Sequence, residues 1–177
     1  MSDQNKSLTD RIELRPVVMP DDEEFLKALY ATTRYDIERV PFSEAEKDAF
    51  LLMQYTAQKN HYDSYYDKAS HDIVLYDGRQ AGRYMVDSEG SEIIGVDLSL
   101  LPEFRSLGIG TVLLKGSFAD AAATGRPFVF HVIKDNEKAI ALYKRLGCKF
   151  TGETEMHYKM SWSAESGPVE EKEIKGE

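Results

Sequence analysis

Arg105-Ser106-Leu107-Gly108-Ile109-Gly110 joins one permanent cation to two glycines, and it stands between an apolar, strand-like run and a run of helical period. A turn of this kind brings consecutive backbone N–H groups at a helix start toward one point, which suits a bound anion. Gly108 and Gly110 have no Cβ to block the approach of a ligand to the main chain, and Arg105 could set its guanidinium beside a diphosphate. Thr111 carries the run of amides into the first helical turn. A Walker loop needs a lysine after its last glycine, and none follows Gly110. A dinucleotide fingerprint needs a third glycine where this chain has Leu113. Both nucleotide readings fail on residue identity.

The elements that must hold this loop can be read from periodicity. Ile12 to Val18 alternates as a strand, and Asp21, Asp22, Glu23 and Glu24 then put acids at the start of a helix reaching about Arg34. Ser43-Glu44-Ala45-Glu46 has capping-box spacing and opens a second helix to about His61. His71 to Tyr76 and Gln80 to Val86 read as strands joined at Asp77-Gly78, and Glu92 to Leu100 as a third. A helix from Ile109 stops at Gly125, Phe128 to Ile133 is a buried strand, Asn136 to Leu146 is a helix closed by Gly147, and Lys149 to Trp162 holds two last strands. The order is β-α-α-β-β-β-α-β-α-β-β, an α/β fold whose strand-helix-strand unit at 92–133 should have parallel strands.

Composition narrows the function classes. With 177 residues, 42% hydrophobic and 30% charged, the chain fits one folded domain, expected over 11–163, with a flexible segment at 1–10 and a disordered acidic tail at 164–177. The net charge of −9 argues against a nucleic-acid partner, which needs a Lys/Arg footprint. No run approaches a membrane span and Met1 to Asp10 is polar, so a cytoplasmic protein is expected. Cys148 is the single cysteine, and His61, His71, His131 and His157 have no metal-ligand spacing, so neither a disulfide nor a metal is expected.

The loop has the R/Q-x-x-G-x-G/A spacing of the GNAT superfamily of acyl-CoA-dependent N-acyltransferases, and the chain resembles that family beyond these six residues. Val96-Asp97-Leu98-Ser99-Leu100-Leu101-Pro102-Glu103-Phe104 resembles the strand and Pro-acidic-aromatic turn before the family's loop. Asn136 to Phe150 resembles its N-x-x-A-x-x-L-Y-x-x-x-G-F helix, with Cys148-Lys149-Phe150 where Gly-Phe usually adjoin. The resemblance covers about 12–162 and is strongest over 92–150. It implies a GNAT-like, mostly antiparallel central sheet with one splayed parallel strand pair.

It also implies a cofactor and its contacts. Acetyl-CoA would pair its pantetheine with the backbone of Leu98, Ser99 and Leu100. Its diphosphate would rest on the amides of Ser106, Leu107, Gly108, Ile109, Gly110 and Thr111 beside Arg105, and Asn136 and Tyr143 would touch it from the later helix. The implied function is acetyl transfer to an amine by direct attack, the acceptor being a small molecule or a peptide. An amine of pKa about 10 needs a base, and a thiolate leaves more easily if an acid such as Tyr143 protonates it. His131 stands five residues before Asn136, near a position where some family members carry a catalytic glutamate, and Asp97 is paired with it as our own reading. Because the region between the first strands varies with substrate in the family, Tyr30, Arg34, Phe42 and Gln58 are the candidate acceptor contacts.

Plainer readings stand beside these. Tyr143 could pack its ring in a helix interface, His131 could be a core histidine with Asp97 a structural acceptor, and Cys148 reads as a small buried hydrophobe. Tyr55, Tyr62, Tyr65 and Tyr66 could line the acceptor pocket, a homodimer contact or a solvated helix end. The other functional reading is a module of the same fold that binds acyl-CoA as a sensor or interaction platform without turnover.

Overall fold

The computed structural model describes residues 6–166. In chain order its elements are β1 (Ile12–Pro16), α1 (Glu23–Ala31), α2 (Glu44–Tyr65), β2 (Ser70–Tyr76), β3 (Arg79–Asp87), β4 (Ile93–Leu100), α3 (Ile109–Thr124), β5 (Phe128–Ile133), α4 (Glu137–Arg145), β6 (Lys149–Glu153) and β7 (His157–Trp162). The strands form one seven-stranded sheet in the order β1-β2-β3-β4-β5-β7-β6. β4 and β5 pair in parallel from Ile93↔Phe128 to Gly95↔Phe130. The β1/β2, β2/β3, β5/β7 and β6/β7 pairs are antiparallel. This is the α/β order and mixed sheet that the sequence implies.

The chain divides into two compact units, Met1–Glu89 with Val96–Gly110, and Gly90–Gly95 with Thr111–Glu177. β4 lends its first residues to the second unit and the remainder to the first. In the first unit α1 and α2 bury Leu26, Tyr30 and Tyr55 against Ile73 of β2. The Tyr30 and Tyr55 rings meet edge-on at 6.0 Å. Burial of side chains this large contributes roughly 1.5–3 kcal/mol each. In the second unit Phe118 of α3 stacks on Trp162 at 4.6 Å and meets Phe128 edge-on at 5.5 Å.

Local chemistry explains where the elements end. α2 starts at the expected capping box: the Ser43 Oγ accepts from the Glu46 N–H while the Glu46 carboxylate accepts from the Ser43 N–H. It runs one turn beyond His61 because pairs four residues apart continue its face, with the His61 ring 4.7 Å from Tyr65 and Lys59 2.8 Å from Asp63. α1 stops at Ala31 rather than Arg34. The Thr32 and Thr33 hydroxyls donate to the carbonyls of Leu29 and Tyr30 at 2.8 and 2.7 Å, and such bonds compete with the helical ladder.

Asp22 behaves differently from its neighbouring acids. It is only 4% exposed and takes Arg15 through both oxygens at 2.9 and 2.7 Å, the Val18 N–H at 2.8 Å and Gln80 at 3.0 Å. It therefore ties β1 and β3 to the start of α1 instead of serving the helix dipole.

Short 3-10 turns lie at the inner edges of the segments expected to be flexible, 1–10, and disordered, 164–177. Thr9–Arg11 form a 3-10 turn, with the Ser7 hydroxyl donating to Asp10 at 2.7 Å, and Ala164–Ser166 form another. The remainder of the expected acidic tail and residues 1–5 lie outside the described residues. Among the described residues no helix is long and apolar enough to cross a membrane.

Candidate functional site

The loop from Arg105 to Gly110 is pinned at both ends by buried side chains, Phe104 at 4% exposure before it and Ile109 at 1% within it. Phe104 also packs edge-on against Tyr76 at 5.9 Å. Two residues of the loop have left-handed backbones, Ser106 at φ 61 and Gly108 at φ 86. Only glycine takes such a conformation at little cost, and a Cβ on Gly108 would lie 2.8 Å from the Leu8 side chain. The turn delivers the chain into α3 at Ile109, and the first N–H groups of a helix have no acceptor within it. A left-handed turn followed by those amides is a ready anion cradle.

Arg105 braces this loop. Its Nε donates to the Leu100 carbonyl at 2.8 Å, and its Nη2 reaches the Thr32 carbonyl and hydroxyl at 3.2 and 3.1 Å. The end of β4 and the end of α1 are thus fastened to the loop's first residue.

Beneath α2, in the same unit, lies a buried polar cluster built on Asp97 of β4. Asp97 Oδ2 accepts from Arg83 Nη2 and from the Tyr62 hydroxyl, the latter at 3.3 Å, and Oδ1 accepts from the Ser99 hydroxyl at 2.6 Å. Arg83 Nη2 also donates to Gln58 at 2.8 Å, and its guanidinium lies 5.2 Å from the Tyr62 ring centre. Arg83 is 5% exposed. Burial, with Asp97 beside it, pushes the Tyr62 phenol well above its ordinary range. Burial also lowers the pKa of His71, with the Arg83 charge acting in the same direction. The close approach of β3 to β4 here depends on Gly82, where a Cβ would come within 2.1 Å of the Ser99 carbonyl oxygen.

Of the four candidate acceptor contacts, Tyr30 and Arg34 meet, with Arg34 Nη1 donating to the Tyr30 hydroxyl at 2.9 Å and also to Gln54. Gln58 belongs to the Asp97 cluster instead. Phe42 is exposed and packs against Phe50 at 6.0 Å. Along α2, Gln54, Gln58 and Tyr62 therefore make a polar stripe at helical spacing that engages two arginines.

The second unit holds the other candidates. His131 is exposed on β5 opposite Lys159 of β7. Partial burial lowers its pKa, helped by Lys159 and His157 and opposed by Glu92. Asn136 caps α4, its Oδ1 accepting from the Ala139 N–H at 3.2 Å. The Tyr143 ring lies 4.3 Å from Phe130. Cys148 is buried, which pushes its thiol up to about 12, so it is a packing residue and a poor nucleophile. A cavity of about 850 Å³ lies between α4 and the β6/β7 pair, lined by Lys134, Ile140, Lys144, Phe150 and Tyr158 among others, and it includes none of the candidate cofactor or acceptor residues.

The sequence profile described as acetyltransferase (GNAT) family matches residues 31–148. The chain belongs to this family. The match takes in the Arg105–Gly110 loop, the Asp97 cluster, Asn136 at the cap of α4 and Tyr143 within it.

Solved structures of the family share the fold. The PaiA N-acetyltransferase of Thermoplasma acidophilum, in complex with coenzyme A, aligns with a TM-score of 0.66 at 17% identity over 86% of this chain and 98% of its own. Naa50 of Arabidopsis thaliana, in complex with the bisubstrate analogue CoA-Ac-MVNAL, aligns at 0.56 and 20% identity over 86% and 99%. A GNAT family acetyltransferase of Elizabethkingia anophelis with acetyl-CoA bound aligns at 0.57 and 15% identity over 87% and 99%. Comparison with curated protein sequences gives no significant match.

Reading the sequence of this family member did not single out Arg83. Its signal was present: in Ala81-Gly82-Arg83-Tyr84-Met85 a cation stands in the middle of a run with no other charge, and all five residues are buried. A buried cation requires a partner, and Asp97 is the acid in the next strand.

Proposed function

We propose that this GNAT family member transfers an acetyl group from acetyl-CoA to an amine by direct attack. The observation that carries the reading is the Arg105–Gly110 loop, left-handed at Ser106 and Gly108 and opening directly into α3. A cradle of main-chain amides suits a diphosphate, and two of the solved relatives are described with coenzyme A or acetyl-CoA bound.

In this reading the amides of Ser106 to Thr111 hold the diphosphate and the backbone of Leu98, Ser99 and Leu100 pairs with pantetheine. The Leu100 N–H is assigned to the thioester oxygen, where charge develops as the amine adds. The nitrogen lone pair forms the new C–N bond, the C–S bond breaks, and the sulfur leaves as a thiolate. His131 takes the proton lost by the amine. Its lowered pKa keeps it neutral near pH 7 and so able to accept one. Tyr143 is assigned the proton for the thiolate. The Asp97 carboxylate, already holding Arg83, Tyr62 and Ser99, is assigned to the first unit's own scaffold rather than to orienting His131.

The experiment is thiol release from acetyl-CoA with a panel of amines, run beside calorimetry of coenzyme A binding. Binding with amine-dependent thiol release supports an enzyme. Binding without release across the panel supports a sensor or interaction module of the same fold.

A further inference from the structure

The last turn of α1 has no basic residue of its own, although the carbonyls at a helix C-terminus attract a cation. Arg105, 73 positions along the chain from Thr32, supplies that cation. Its Nη2 donates to the carbonyl of Thr32, the residue that closes α1, at 3.2 Å, and to the Thr32 hydroxyl oxygen at 3.1 Å. The Thr32 hydroxyl has one proton, and it is spent on the Leu29 carbonyl at 2.8 Å. Towards Arg105 the hydroxyl therefore offers lone pairs only.

On the same edge of the guanidinium, Nε donates to the Leu100 carbonyl at 2.8 Å. This is the edge a guanidinium presents to two oxygens at once. Here it is filled by oxygens of α1 and β4, so a diphosphate takes it only by releasing both elements. The peptide that follows Leu100 is held from the other side as well, the Leu101 N–H donating to the Ala81 carbonyl at 2.8 Å. The entry to the loop is thus fixed before Ser106 turns left-handed. Arg34, two residues beyond Thr32, joins Tyr30 and Gln54, which carries the anchorage into α2. All of these residues belong to the first compact unit.

We propose that Arg105 serves coenzyme A binding as a tether to α1 and not as a ligand of the diphosphate, and that Thr32 is the positioning residue it acts through. The inference rests on the reading that main-chain amides of the loop hold the diphosphate, and it gives Arg105 the task of holding those amides in place beforehand. The sequence alone put the guanidinium beside the diphosphate, and the two roles ask different things of the side chain. A cation that meets a phosphate acts through its charge, which lysine keeps and salt screens. A clamp on oxygens of two elements acts through its planar fork, which lysine lacks.

The test is the Kd for coenzyme A, measured by calorimetry at low and high salt, in wild type, Arg105→Ala, Arg105→Lys, Thr32→Val, Thr32→Ser and the double variant Thr32→Val/Arg105→Ala. The expected result is binding about tenfold weaker in Arg105→Ala, Arg105→Lys within about twofold of it, binding about threefold weaker in Thr32→Val, and wild-type affinity in Thr32→Ser, which keeps the hydroxyl. The double variant should bind no more weakly than Arg105→Ala, and Arg105→Ala should leave the salt dependence of Kd unchanged. Thermal midpoints check folding, and where Arg105→Ala does not fold, the Thr32 variants and Arg105→Lys decide. Wild-type affinity in Arg105→Lys, or a flattened salt dependence in Arg105→Ala, makes Arg105 a diphosphate ligand and overturns the inference while leaving the amide cradle intact. An unchanged Kd in Thr32→Val, or additive losses in the double variant, also overturns it. Failure of wild type to bind coenzyme A removes this inference together with the reading beneath it.

Discussion

Ser99 donates its hydroxyl to Asp97 at 2.6 Å across two positions of one strand, on the face that α2 covers. Side chains two apart on a strand share a face, so β4 itself sets this contact, and α2 and β3 supply what surrounds it. The same carboxylate anchors Arg83 and Tyr62, which makes it a junction of three elements.

Removing one member of that junction should be worse than removing two. Arg83→Met leaves the Asp97 carboxylate buried without its cation, a cost of about 3–5 kcal/mol, whereas the double variant Arg83→Met/Asp97→Leu should recover most of the loss. Urea unfolding of the wild type, the single variant and the double variant measures both.

His71 should make the fold sensitive to mild acid. Its folded pKa lies below the ordinary 6.5 because of burial and the Arg83 charge, with Asp97, Asp63 and Asp22 opposing more weakly. The unfolded chain therefore binds the proton first as pH falls. The stability involved is fully present above about pH 6.5 and is lost as pH drops through the folded value. Unfolding free energies between pH 5 and 8 should show this slope in wild type and a flatter one in His71→Leu.

His131 should be visible in the rate-pH profile. Its pKa is lowered by partial burial and by Lys159 and His157, so the acid limb of kcat/KM should fall below pH 6.5 rather than above it. His131→Ala should lower the rate and remove that limb. A profile unchanged by the substitution assigns the base elsewhere.

Much of this architecture was legible in the sequence because local chemistry and tertiary packing agree. Ser43 and Glu46 announce the start of α2, Asp77-Gly78 the hairpin, and Gly125 and Gly147 the ends of α3 and α4, each through a residue whose own conformation or side chain makes the stop. The loop was legible for the same reason. What stayed hidden depends on contacts distant in sequence. The Asp22 cluster joins residues 7 and 58 positions apart, and Arg83 meets Gln58 across 25. Beside the buried Tyr55, the half-buried face of α2 carries Gln54, Gln58 and Tyr62, so apolar periodicity could not show which face is covered. Asn136 illustrates a third case, where one residue type is both a helix cap and a cofactor contact in the resemblance, and the structure shows the cap.

The central claim is that main-chain amides from Ser106 to Thr111 hold the diphosphate of coenzyme A. Backbone amide resonances followed during titration with coenzyme A, and in parallel with pantetheine lacking the diphosphate, test it directly. The account predicts saturable shifts concentrated at Gly108, Ile109, Gly110 and Thr111 with coenzyme A, much weaker ones with pantetheine, and at least a hundredfold loss of coenzyme A affinity in Gly108→Glu, where a carboxylate enters a strained, anion-seeking turn. Tight binding of coenzyme A with those four amides unmoved, or equal affinity in Gly108→Glu, would contradict it.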